Sequence, residues 1–90
     1  MISKIDRNIH FTRLVKVADR LREFNFRKIK GSASNLFHID VPDERGNRIM
    51  FKMQQEDSHT YRIIDQQLPQ WVSATEGMLH DVITEEMIDQ

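Results

Sequence analysis

The sequence predicts an α+β domain in the order α-β-β-β-β-α. It is a four-stranded antiparallel meander with a helix before it and a helix after it, both packed on one sheet face. Three observations lead there. Apolar residues recur at helical spacing near both ends of the chain, they alternate at period two in the middle, and turn-forming residues separate the alternating runs. Ninety residues suffice for one small core, so 1–90 reads as a single domain, with residues 1–7 and the acidic 84–90 fraying at its ends.

The first helix is expected over Asn8–Asn25. Phe11, Leu14, Val15, Ala18 and Leu21 fall at i, i+3, i+4, i+7 and i+10, one stripe of a helix, and Asn8 is a suitable N-cap. Alternation then takes over. Phe26–Lys30 reads as an edge strand, where lysine discourages edge-to-edge pairing. Asn35–Val41 sends Phe37, Ile39 and Val41 inward, Arg48–Gln54 sends Ile49, Phe51 and Met53 inward, and Thr60–Asp65 contributes Tyr61 and Ile63. The spacers carry turn chemistry: Gly31–Ser34, Pro42–Asn47 with its Asp43 and Gly46, and Glu56–His59. Helical spacing returns at Leu68, Trp71, Val72, Thr75, Met78, Leu79, Val82 and Ile83, with Pro69 in the first turn. Ser73 and Glu76 also have capping-box spacing, so the regular helix has a second candidate start there.

Composition closes off several classes of function. The chain has no cysteine, which excludes disulfides, thiolate nucleophiles and cysteine-ligated metals. No apolar run is long enough to span a bilayer and no signal peptide opens the sequence, so a cytoplasmic protein without membrane partners is expected. The net charge of −1 conceals a segregation. Residues 1–30 hold nine basic groups against three acids, and 31–90 hold four against eleven. Two readings follow: a surface for nucleic acid or an acidic partner at one end, or two ends that lie together and neutralise each other.

Catalytic signatures are missing. There is no glycine-rich phosphate loop, no nucleophile elbow, and no histidine pair at i, i+4. His10, His38, His59 and His80 each stand alone in their segment. Asp57-Ser58-His59 has the residue types of a catalytic triad, but three consecutive residues of a turn cannot adopt its geometry. The expectation is therefore no enzyme, no cofactor and no metal, with a hydrolase resting on His38 as the third-ranked reading.

The sheet face turned away from both helices is the expected site. By parity it gathers Lys28, Lys30, His38, Arg48, Lys52 and Arg62, interspersed with Phe26, Leu36, Met50 and Ile64, and one acid, Asp40. Apolar groups mixed with arginine suit a protein interface, including association with a second copy. The same cations suit RNA or single-stranded DNA, the alternative partner. The expected function is thus a small non-catalytic interaction domain, self-associating through its open sheet face, with nucleic-acid binding as the runner-up.

Overall fold

The computed structural model describes residues 9–29, 35–57, 59–64 and 67–88. It contains five strands: β1 (His10–Val17), β2 (Arg20–Lys28), β3 (Leu36–Pro42), β4 (Arg48–Gln55) and β5 (Tyr61–Ile63). They form one antiparallel sheet in the order β1-β2-β3-β4-β5, each strand beside its sequence neighbour. Two helices follow, α1 (Gln70–Ser73) and α2 (Glu76–Ile88). The expected four strands between two helices are therefore corrected: among the described residues no helix precedes the sheet, where 10–17 and 20–28 are strands, and both helices come after it. The Gly31–Ser34 turn and Lys30 lie outside the described residues.

The leading segment is a hairpin because pairing it that way buries its best hydrophobes. Val15, Val17, Phe24 and Phe26 all turn to the core, each at most 7% exposed, while Leu14 and Leu21 of the supposed helical stripe stand 63% and 66% exposed. The segment is also rich in β-branched and aromatic residues, which fit a pleated surface better than a helix. The register runs from His10 opposite Arg27 to Val17 opposite Arg20 and leaves a two-residue turn at Ala18-Asp19. Both turn residues have positive φ, 52° and 66°. That is the type I′ geometry that suits strand twist, but its usual sequence is Asn-Gly, and alanine tolerates this region poorly. Replacing the pair by Asn-Gly (Ala18→Asn with Asp19→Gly) is expected to stabilise the protein by about 1 kcal/mol. A melting temperature that falls in this double variant would show that the two-residue turn is not there.

The meander beyond β2 follows the alternation. Phe37, Ile39 and Val41 of β3 lie opposite Met53, Phe51 and Ile49 of β4, all on the core side. Asp43 shapes the β3–β4 turn: its Oδ1 accepts the backbone N–H of Arg45 and of Asn47, and Gly46 supplies the left-handed residue at φ 86°. Asp57 plays the same part between β4 and β5, accepting from the N–H groups of His59 and Thr60. The His59 bond holds the Asp57 carboxyl below its ordinary pKa. Its support for the turn is therefore present above the unfolded carboxyl's pKa and lost as pH falls through the depressed folded value.

The two helices close the core side. Val72, Leu79, Val82 and Ile83 join the sheet's inward residues in one hydrophobic cluster, with Trp71 and Met87 packed at its border. Trp71 is only partly buried. Its ring carries the Arg22 guanidinium at 4.1 Å, and Glu44 pairs with the same guanidinium at 2.9 Å. Thirteen residues make α2 about 20 Å long, comparable to the roughly 19 Å across five strands. It can therefore reach both edges. At β5 the outward N–H of Tyr61 donates to His80 Nδ1 (3.1 Å) and that of Ile63 to Glu76 Oε2 (2.8 Å). At β1, Arg13 pairs with Glu85 (2.8 Å) and Glu86 (3.0 Å), and these bonds raise its pKa further. Basic start and acidic end thus meet at this latch. The helix runs to Ile88, so residues 84–88 form its last turn.

Candidate interaction face

Because both helices pack on the inward residues, none of the described residues covers the other face of the sheet. Strand registers place its side chains in lines running across the strands. One line is His10, Arg27, His38 and Lys52, each directly opposite the next. The line beside it is Thr12, Asn25, Asp40 and Met50. On the far side of the basic line lie Leu36, Gln54 and Arg62. Toward the β1–β2 turn, Leu14 lies opposite Glu23 and Lys16 opposite Leu21, which makes the two leucines diagonal neighbours.

The second line is tied together by hydrogen bonds. Thr12 Oγ1 donates to Asn25 Oδ1 at 2.6 Å, Asn25 Nδ2 donates to Asp40 Oδ1 at 3.0 Å, and Arg48 reaches the same Asp40 oxygen at 2.8 Å. Arg62 is paired with Glu56 at 2.7 Å. A depression of about 150 Å³ opens over the middle of the face, between the basic line and Asn25, Asp40 and Met50. The cations of the face are Lys16, Arg27, Arg48, Lys52 and Arg62, against Glu23 and Asp40.

The structure brings together most of the residues anticipated from sequence. Leu36, His38, Arg48, Met50, Lys52 and Arg62 stand on this face, Met50 69% exposed. Ile64 joins them beyond the end of β5, its N–H bonded to the Lys52 carbonyl. Two expectations are corrected. Phe26 is fully buried, and Lys28 lies opposite Phe37, so it has core-side parity and is half-buried. A residue taken as outward at 26 shifts the whole strand by one, and with a period of two that exchanges the faces. Arg27 takes the place given to Lys28. Sequence reasoning missed His10, Leu14, Leu21 and Asn25 because they were placed in a helix. Phe24 and Phe26 at equal parity, two residues apart, were the signal for a strand there.

Among the described residues no group of three or more histidines or carboxylates is arranged to hold a metal ion. No helix of the described residues is long and apolar enough to cross a membrane. In comparisons with known proteins the chain matches no family model, no curated protein and no solved structure.

Proposed function

We propose that the protein is a small non-catalytic interaction domain that works through its open sheet face and associates there with a second copy. The observation that carries this reading is the placement of the exposed large hydrophobes. Of the six among the described residues, Leu14, Leu21, Met50 and Ile64 stand on the one sheet face that no described element covers. Apolar side chains spread among arginines and lysines match the composition of protein interfaces better than that of an ordinary solvated surface.

The charges select how two copies meet. Open face against open face sets cations against cations, which costs free energy. The back of the molecule differs: α2 carries Glu76, Asp81, Glu85 and Glu86 with no lysine or arginine of its own, Arg13 offsets part of that charge at Glu85 and Glu86, and Met78 and Ile88 are exposed on it at 42% and 76%. A basic face dotted with hydrophobes complements an acidic helix dotted with hydrophobes. The association is therefore heterologous, front to back, and builds a ring or an open chain. Single-stranded nucleic acid is the weaker reading of this surface, because none of its side chains is a phenylalanine, tyrosine or tryptophan on which bases stack.

Light-scattering molar mass across a concentration series tests this. The expected mass exceeds the 10.7 kDa of one chain at high concentration and falls as salt rises, since screening weakens charges more than about 10 Å apart at 0.1 M. Met50→Glu and Leu21→Glu, both at exposed positions, are expected to give folded monomers. A wild-type mass of one chain at every concentration, or a larger mass that both variants keep, contradicts the proposal.

A further inference from the structure

Side chains of α2 cover the edge of β5. Pairing with β4 uses one side of β5 and leaves the N–H groups of Tyr61 and Ile63 pointing outward. Residues two apart on a strand are separated by about 6.7 Å, and residues four apart on a helix by about 6 Å. Helix positions i and i+4 therefore match two successive outward donors of a strand edge. Glu76 and His80 are such a pair: His80 Nδ1 accepts from the Tyr61 N–H at 3.1 Å, and Glu76 Oε2 accepts from the Ile63 N–H at 2.8 Å. The His80 ring also lies against the buried Tyr61, 6.1 Å between ring centres.

The two acceptors differ in what a proton does to them. Nδ1 accepts the Tyr61 N–H only while it carries no proton of its own, so the bonded ring is neutral and protonated at Nε2. In a charged imidazole both ring nitrogens are donors, and a donor set against the Tyr61 N–H repels it. Imidazoles ordinarily change charge between about pH 5 and 8, and carboxylates do so at lower pH. We propose that α2 is a pH-operated cover on the β5 edge: neutral His80 caps the Tyr61 N–H, protonated His80 releases it, and Glu76 keeps its hold on Ile63. The Tyr61 bond is thus present above the range in which an imidazole takes up a proton and is lost as pH falls through it. The surrounding charges favour the release. Glu76, one turn before His80, and Asp81, next to it, attract a positive ring, while Glu85 and Glu86 are engaged by Arg13 at the other edge of the sheet. On β5, burial raises the pKa of the Tyr61 hydroxyl, so the phenol stays neutral, and Arg62 is paired with Glu56 on the open face. At the turn into β5, the Asp57 carboxyl is held by the N–H groups of His59 and Thr60. An uncovered edge donor can pair with a carbonyl of another chain, so acid exposes what neutral pH conceals. This inference goes beyond the self-association reading and does not rest on it.

The test is amide hydrogen exchange on the dilute, full-length protein at about pH 7.5 and about pH 5.5, each rate taken relative to the intrinsic rate at that pH. Protection of the Tyr61 amide is expected to fall about tenfold or more at the lower pH, and that of Ile63 to change less than about twofold. Nitrogen-15 signals of the His80 ring, followed over the same interval, are expected to pass from the form protonated at Nε2 alone to the charged form as the Tyr61 protection falls. His80→Asn puts an amide oxygen near the place of Nδ1, an acceptor at either pH, so its Tyr61 protection is expected to be equal at both. His59→Asn, at the exposed turn, is expected to respond as the wild type does. The proposal is overturned if wild-type Tyr61 is equally protected at both pH values. It is also overturned if Tyr61 and Ile63 lose protection together, the mark of opening of the whole molecule, or if His80→Asn loses it as the wild type does. Should His80→Asn fail to fold, the wild-type signals decide, and a Tyr61 loss that does not follow the His80 titration contradicts the proposal.

Discussion

Phe26→Ala is expected to remove about 3–5 kcal/mol of stability, the range for emptying a fully buried phenylalanine site. A domain of 90 residues has roughly 5–13 kcal/mol in total, so this variant stands close to unfolding at room temperature. The reason lies in its position. Phe26 is fully buried, stacks on Phe11 at 4.7 Å between ring centres, and lies opposite Ile39 in the register. Phe11 in turn meets Phe37 edge-on at 6.3 Å, and Phe37 meets Tyr61 at 5.8 Å, so one substitution opens a chain of ring contacts from β1 to β5. Urea denaturation followed by circular dichroism reads the cost. A loss below about 1 kcal/mol, the size of an ordinary surface or minor core change, means that Phe26 does not sit in the core.

Leu79→Ala is expected to cost about 2–5 kcal/mol and to change solubility as well. Leu79 is fully buried on α2 between Glu76 and His80, the two residues that occupy the outward N–H groups of β5. Loosening this turn of the helix releases both N–H groups and exposes a strand edge, a template for pairing with other chains. The variant should therefore melt at lower temperature and also aggregate on partial unfolding. His80→Ala, which frees one edge donor and leaves the hydrophobic contact in place, is expected to be much milder in stability. If Leu79→Ala melts as the wild type does, α2 is not docked on the core.

The middle of the fold was legible because several local signals agree there. Within 36–42, 48–55 and 61–63 the inward positions recur at period two, and Asp43, Gly46 and Asp57 mark turns whose hydrogen bonds the structure shows. The start of the chain was not, since residues 11–21 satisfy two periods at once. Phe11 and Val15 belong equally to a helical stripe and to an alternating strand, and the turn that decides between them is Ala-Asp, which carries no hairpin signature. Only long-range burial settles the choice, by drawing in Phe24 and Phe26 at the expense of Leu14 and Leu21. The same ambiguity divided the candidate site. His38 and Lys52, on the legible strands, were found; His10 and Arg27, which complete their line, became visible only when the hairpin registers joined four strands. The helix expected over 68–83 is split in the structure at Ala74-Thr75, but not by a capping box: Ser73 closes α1, α2 begins at Glu76, and the Glu76 carboxylate accepts the Ile63 N–H instead.

The claim that the open face is the working surface is tested most directly by backbone amide chemical shifts recorded against the protein's own concentration. Strand parity makes the readout sharp, because neighbouring residues of one strand face opposite ways. The account predicts concentration-dependent shifts at Leu21, Arg27, Met50 and Ile64, together with a second set on the outer side of α2 around Met78 and Asp81. The core-facing Phe37, Ile39 and Met53 are expected to move least. Shifts confined to β1, the unpaired edge, or spectra that do not change with concentration contradict it.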